Sequence, residues 1–148
     1  MTPRIDYYKA APKVRDAMMA VELASRETSV PLTARELVKV RVSQINGCGY
    51  CLHMHTQEAR AAGVSQEQLD VVAAWRESPA FDDRERAALG WAEALTRVAD
   101  GEPEDADYAP LAAAFDEREQ AELTLVITTI NAWNRFAVGF RMVHPARS

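Results

Sequence analysis

Only two of the 148 residues are cysteine, too few for the multi-bridge framework that stabilises small secreted domains. Long apolar runs are missing as well. None approaches the roughly 20 residues needed to cross a bilayer, so no membrane partner is expected. Positive charge is in the minority, with 17 Lys and Arg against 22 Asp and Glu and a formal net charge of -5. That balance disfavours a nucleic-acid surface, because a polyphosphate does not attract an acidic protein. The first ten residues carry Arg4, Asp6 and Lys9 and no apolar h-region, so no secretory leader is apparent and a cytoplasmic location is expected. No convincing internal repeat occurs.

What is present is a soluble-type composition, 48% hydrophobic and 26% charged, in a chain of ordinary single-domain length. One domain over 1–148 is expected. The seven prolines leave two long stretches free, 32–78 and 111–144, where most of the helix should lie. Four capping-box patterns mark helix starts: Thr33 with Glu36, Ser65 with Gln68, Asp82 with Glu85, and Asp116 with Glu119. Val14, Ala17, Met18 and Val21 recur at helical spacing after Pro12. Gly63 is a natural helix stop. The reading is an all-α bundle of about seven helices, spanning 12–25, 33–46, 48–62, 65–76, 83–99, 109–115 and 117–139. The β-branched run Leu123–Ile130 is kept helical because a cap precedes it and no breaker follows. The acid-rich stretch Asp100–Asp107 reads as a solvated loop.

The chemistry concentrates in Cys48-Gly49-Tyr50-Cys51 and the four residues after it. On a helix, Cys48, Cys51, Leu52, His55 and Ala59 form one stripe, and His53 falls off it. A thiol in the first helical turn meets free N–H groups and the positive end of the macrodipole, which favour thiolate. His55, one turn further, can take and return a proton. Two adjacent thiols give an attacking sulfur and one that resolves the product as a disulfide. Twelve helical residues put Glu36 roughly 18 Å before Cys48, and His55 lies about 10 Å beyond it. If Asn46-Gly47 reverses the chain, Glu36 comes closest to His55, as a carboxylate that orients the imidazole. The alternative for Glu36 is a cap on Thr33. Buried structural cysteines, or zinc held by Cys48, Cys51 and His55, are the competing readings of the cluster. His53 and His144 are read as surface or tail residues. Trp91, Trp133 and Phe136 are read as core or interface aromatics.

Glu36, eleven residues, then Cys48-x-x-Cys51-x-x-x-His55 resembles the core motif of the alkylhydroperoxidase AhpD-like family, within the carboxymuconolactone decarboxylase-like superfamily. Asn46–Cys51 and Ile130–Arg135 are also similar to family wording. The resemblance implies an all-α fold and thiol-dependent reduction of hydroperoxides, with Cys51 attacking, Cys48 resolving, and His55 and Glu36 relaying the proton. It implies no cofactor beyond a Cys48–Cys51 disulfide and no metal. A thiol reductant of dihydrolipoyl or thioredoxin type and a homotrimer or homohexamer are the implied partners. One departure stands out: Tyr50 occupies the place where better-studied members carry a second histidine. The paired cysteines disfavour decarboxylation, and an adaptor that only passes disulfide equivalents is the second functional reading.

Overall fold

The computed structural model describes residues 1–145. Within them the chain forms eight α-helices and one 3-10 segment: α1 Tyr7–Ala10, α2 Pro12–Arg26, α3 Leu32–Ile45, α4 Gly49–Ala61, α5 Gln66–Val71, the 3-10 segment Val72–Glu77, α6 Asp83–Thr96, α7 Asp105–Ala114 and α8 Glu117–Gly139. The all-α reading is correct, and there is no strand among the described residues. No described helix is long and apolar enough to cross a membrane.

Helix α3 is the axis of the bundle. Ala34, Val38 and Val42 face one core with Ala88 and Ala92 of α6 and Leu123, Val126, Ile127 and Ile130 of α8. Leu37 and Val40 face a second core with Ala59, Val64, Val72, Trp75 and Leu89. The alanines of α6 let that helix approach α3 closely, the side-chain equivalent of a shallow groove. With apolar partners on two sides, α3 buries eight of its residues, Glu36 and Lys39 among them. The β-branched run in α8 supplies much of the first core, so burial outweighs its strand propensity.

Three predicted capping boxes form, at Ser65, Asp82 and Asp116. The fourth does not. Helix α3 starts one residue early behind Pro31, which leaves Thr33 inside the first turn and unable to cap. Glu36 is thereby freed from capping. A box that the sequence reading missed, Glu104 with Asp107, starts α7 at Asp105. The end of the acidic stretch is therefore the first turn of a helix, where carboxylates complement the macrodipole, and Pro110 is carried inside it. The predicted 65–76 helix tightens after Val71 into 3-10 geometry, with non-helical backbone at Ala74. Trp75 thereby donates its Nε1–H to Glu93 at 3.2 Å, while Arg41 reaches the same carboxylate at 2.7 Å. Helix α1, not foreseen, places Tyr7 against Phe136 and Phe140, with ring centroids 5.0 and 5.5 Å away.

The α2 stripe is helical as its spacing predicts, but it does not face the core. Val14, Val21 and Leu23 are exposed, and the buried residues of α2 are Glu22 and Ser25. Its attachment is polar: Trp133 of α8 donates to Glu22 at 2.9 Å, and Arg26 holds the other oxygen at 2.7 Å.

Candidate active site

The two cysteines are fixed by how α3 ends. Gly47 takes φ +65, a conformation that costs a side-chain-bearing residue but not glycine. Gly47 N–H then reaches Gln44 C=O at 3.2 Å and Cys48 N–H reaches Ser43 C=O at 3.0 Å, the paired bonds of a Schellman close. Cys48 is thus the last residue of that motif and also the N-cap of α4, its Sγ accepting from Cys51 N–H at 3.2 Å. It does not lie inside the helix, as a span of 48–62 would require.

The turn is clamped from α8. Asn46 Nδ2 donates to Asn131 Oδ1 at 3.0 Å and to Asn134 Oδ1 at 2.9 Å, and Asn134 Nδ2 donates to Ser43 Oγ at 3.1 Å. Those asparagines are the part of Ile130–Arg135 that touches the turn carrying Cys48.

The sulfurs of Cys48 and Cys51 are joined, with Sγ–Sγ 2.10 Å and Cα–Cα 5.3 Å. They form a small buried cluster with Ala137, against which Tyr50 and Met142 pack. The pair divides two spaces. Cys51 and His55 line a cavity of about 150 Å³, walled by Tyr7, Tyr8, Tyr50, Met19, Met54 and Trp133, with Glu22 and Arg26 at one edge. Cys48 lines a different, wider one of about 430 Å³, with Gly47, Gly49 and the segment Arg141–His144. Tyr50, Ala137 and Met142 are common to both. Burial pushes the Tyr7 phenol well above its usual range, helped by Tyr8, Tyr50 and Asp6, so Tyr7 stays neutral.

His55 is buried, as its place on the cysteine stripe predicts. Its partner is not the predicted one. Nδ1 bonds Glu58 Oε2 at 2.8 Å, and Glu58 lies three residues on along the same helix. That hydrogen bond holds the Glu58 carboxyl below its usual range against the opposing effect of burial, with the His55, Lys39 and Arg26 charges adding. Antiparallel return of α4 does bring Glu36 close: ligand atoms of Glu36, His55 and Glu58 all lie within 4.8 Å of one another. Glu36 Oε1 instead pairs with Lys39 Nζ at 3.0 Å, while Glu36 Oε2 and His55 Nε2 are buried with no hydrogen-bond partner. Helix lengths alone bring Glu36 near His55, whereas Glu58 is signalled by a different pattern, an acid at i+3 from a histidine on one helix.

Could this cluster hold a metal? Lys39, Arg35 and Arg26 stand among the carboxylates of Glu36, Glu58 and Glu22, so three fixed cations already balance three acids. With Lys39 already on Glu36 and the acids matched by fixed cations, a divalent ion would gain little attraction there, so the residues fit it poorly. His53 is exposed and stacks on His144 with centroids 4.6 Å apart; His53 stays outside the Cys51 cavity, while His144 lines the space beside Cys48.

Comparison with known proteins agrees with this geometry. Residues 10–94 match the model of the carboxymuconolactone decarboxylase family. The protein YdfG of Bacillus subtilis (strain 168), itself uncharacterized, is 36% identical over 138 residues, which is 93% of this chain and 94% of that one. A crystal structure of an Agrobacterium tumefaciens protein of unknown function, described as a candidate antioxidant defence protein AhpD, superposes with a TM-score of 0.93 at 41% identity. That match covers 99% of this chain and 100% of the other. An uncharacterized peroxidase-related protein from Silicibacter sp. TM1040 gives a TM-score of 0.78 at 29% identity, over 88% and 70% of the two chains. By sequence and by fold, the chain belongs to the carboxymuconolactone decarboxylase family and is an AhpD-like member of it.

Proposed function

We propose that the protein is a thiol peroxidase that reduces organic hydroperoxides through a Cys48–Cys51 dithiol/disulfide cycle. The observation that supports this best is the division of the two sulfurs: Cys51 shares a mostly apolar cavity with a buried histidine, and Cys48 faces another space. In the reduced protein, His55 takes the Cys51 thiol proton, and the thiolate attacks one oxygen of ROOH. The O–O bond breaks, Cys51 becomes a sulfenic acid, and the alkoxide leaves as ROH with the proton from His55. The Cys48 thiolate then attacks Cys51 Sγ, the S–O bond breaks, and hydroxide leaves as water with the proton shed by Cys48. A partner dithiol restores both thiols by exchange, entering at Cys48. The sum is ROOH plus a dithiol giving ROH, water and a disulfide. Glu36, at short range from His55 but bonded to Lys39, acts here through its charge, favouring the imidazolium as it forms.

The narrow, aromatic- and methionine-walled space beside Cys51 suits an apolar organic group better than a large polar one. Exposed Val14, Val21 and Leu23 on α2 and Val138 on α8 are apolar surface that assembly into a homotrimer or homohexamer would cover. The experiment is a panel of hydroperoxides supplied with dihydrolipoyl or thioredoxin-type reductants. Turnover by the wild type that vanishes in Cys51→Ser supports the peroxidase. Rapid exchange with the reductants but no peroxide consumption points to a disulfide adaptor, and stoichiometric zinc in the purified protein points to a structural module.

A further inference from the structure

Glu58 lies outside the motif that carries the family resemblance, yet it is the group the histidine touches. Its carboxylate accepts from His55 Nδ1 at 2.8 Å, and His55 is its one ion-pair partner among the described residues. Glu36, by contrast, has its charge met by Lys39 at 3.0 Å and faces Arg35 at 3.9 Å. A carboxylate can only accept, so the ring must carry its proton on Nδ1. The other ring nitrogen, Nε2, is buried and unpartnered. Cys51 lies one turn earlier on the same helix face and lines the same cavity, and its sulfur is tied to Cys48 and has no proton to give.

We propose that Glu58 is the positioning residue of this site: by holding Nδ1–H it fixes the imidazole tautomer and leaves Nε2 to take the Cys51 proton and return it to the leaving oxygen. This rests on the peroxidase reading for its final step alone. Because Glu58 and His55 share α4, the pair is set by one helix and does not depend on how α3 and α4 slide against each other. The surrounding charges come from three elements: Glu22 and Arg26 on α2, Arg35, Glu36 and Lys39 on α3, and Glu58 itself on α4. Glu58→Ala leaves three fixed cations facing two acids around the ring, which disfavours an imidazolium.

The test uses reduced protein labelled with ¹⁵N-histidine, in which the couplings of the ring nitrogens report the tautomer. It also uses iodoacetamide alkylation of Cys51 across pH in a Cys48→Ser background. Wild type should hold His55 as the Nδ1–H form. Glu58→Ala should shift it toward Nε2–H and slow alkylation near neutral pH by about tenfold, with the pH profile moved upward. Glu58→Gln keeps an acceptor oxygen, so it should retain the tautomer and lose only part of the rate. Glu36→Gln should leave the tautomer unchanged. If Glu58→Ala keeps Nδ1–H, or alkylates within about twofold of wild type, the assignment is wrong. It is equally wrong if Glu36→Gln is the substitution that moves the tautomer. Neither readout uses peroxide, so a protein that shows both effects and never consumes peroxide overturns the peroxidase reading and leaves Glu58 in place.

Discussion

Replacing Asn134 with alanine tests whether α8 holds the cysteine turn in place. The side chain is 1% exposed and makes two hydrogen bonds, accepting from Asn46 at 2.9 Å and donating to Ser43 at 3.1 Å. Each such bond contributes about 1 kcal/mol net, and a buried Ser43 hydroxyl left with less to bond adds a further fraction. Asn46 keeps Asn131 as an acceptor, so its donor is not fully orphaned. The expected loss is therefore about 2–3 kcal/mol. For a chain of this size, that lowers Tm by about 6–9 °C, provided unfolding is two-state. Urea titration and calorimetry measure it. Ser43→Ala alone should cost about 1 kcal/mol, and the double substitution should be cheaper than the sum by a similar amount, because both remove one shared bond. The turn should also loosen, so re-formation of the Cys48–Cys51 bond after reduction should be slower than in wild type. An Asn134→Ala protein that melts within about 2 °C of wild type would refute the clamp, as would strict additivity with Ser43→Ala.

Acid stability should depend on a link between α8 and the loop before α3. The Ser29 hydroxyl and N–H, with Arg118, hold the Glu122 carboxyl down to about 2 from its usual 4.5. A lowered carboxyl stabilises above its unfolded value, and the contribution is lost as pH falls through the folded one. The stability difference between wild type and Glu122→Gln should hold at neutral pH and shrink from about pH 4.5 toward about pH 2 in pH-dependent thermal melts. A difference that grows on acidification contradicts this. For assembly, light scattering at micromolar concentration should give a stable oligomer for wild type and a smaller species for Leu23→Glu, which puts a charge on the exposed face of α2. A monomeric wild type would rule out the oligomer.

How much of this was readable from the residues differs by element. Helix α8 was found end to end because Asp116 caps it and nothing breaks it before Gly139. The start of α7 was missed because Pro110 looks like a first-turn residue, whereas the Glu104–Asp107 box begins the helix earlier. Helical spacing correctly made α2 a helix but could not say which way its apolar stripe faces, since periodicity fixes a face and only tertiary packing fixes its neighbour. At the site, the shared face of Cys51 and His55 follows from helix geometry alone, whereas Cys48 takes the N-cap position because of how α3 closes. The hydrogen bond to His55 did not follow from that geometry, because Lys39 competes for Glu36, and competition between donors and acceptors of two helices is a property of their packing. The motif itself also gave no hint that Tyr7, from a helix of four residues, would wall the cavity beside Cys51.

The most direct measurement of the central claim is single-turnover mass spectrometry. The fully reduced protein is mixed with one equivalent of an organic hydroperoxide, quenched by an alkylating reagent and weighed. The account predicts that wild type loses both thiols together and becomes lighter by two hydrogens, that Cys48→Ser stops with one added oxygen on Cys51, and that Cys51→Ser stays reduced. Free thiols persisting in wild type after peroxide, or equal oxidation of Cys51→Ser, would contradict it.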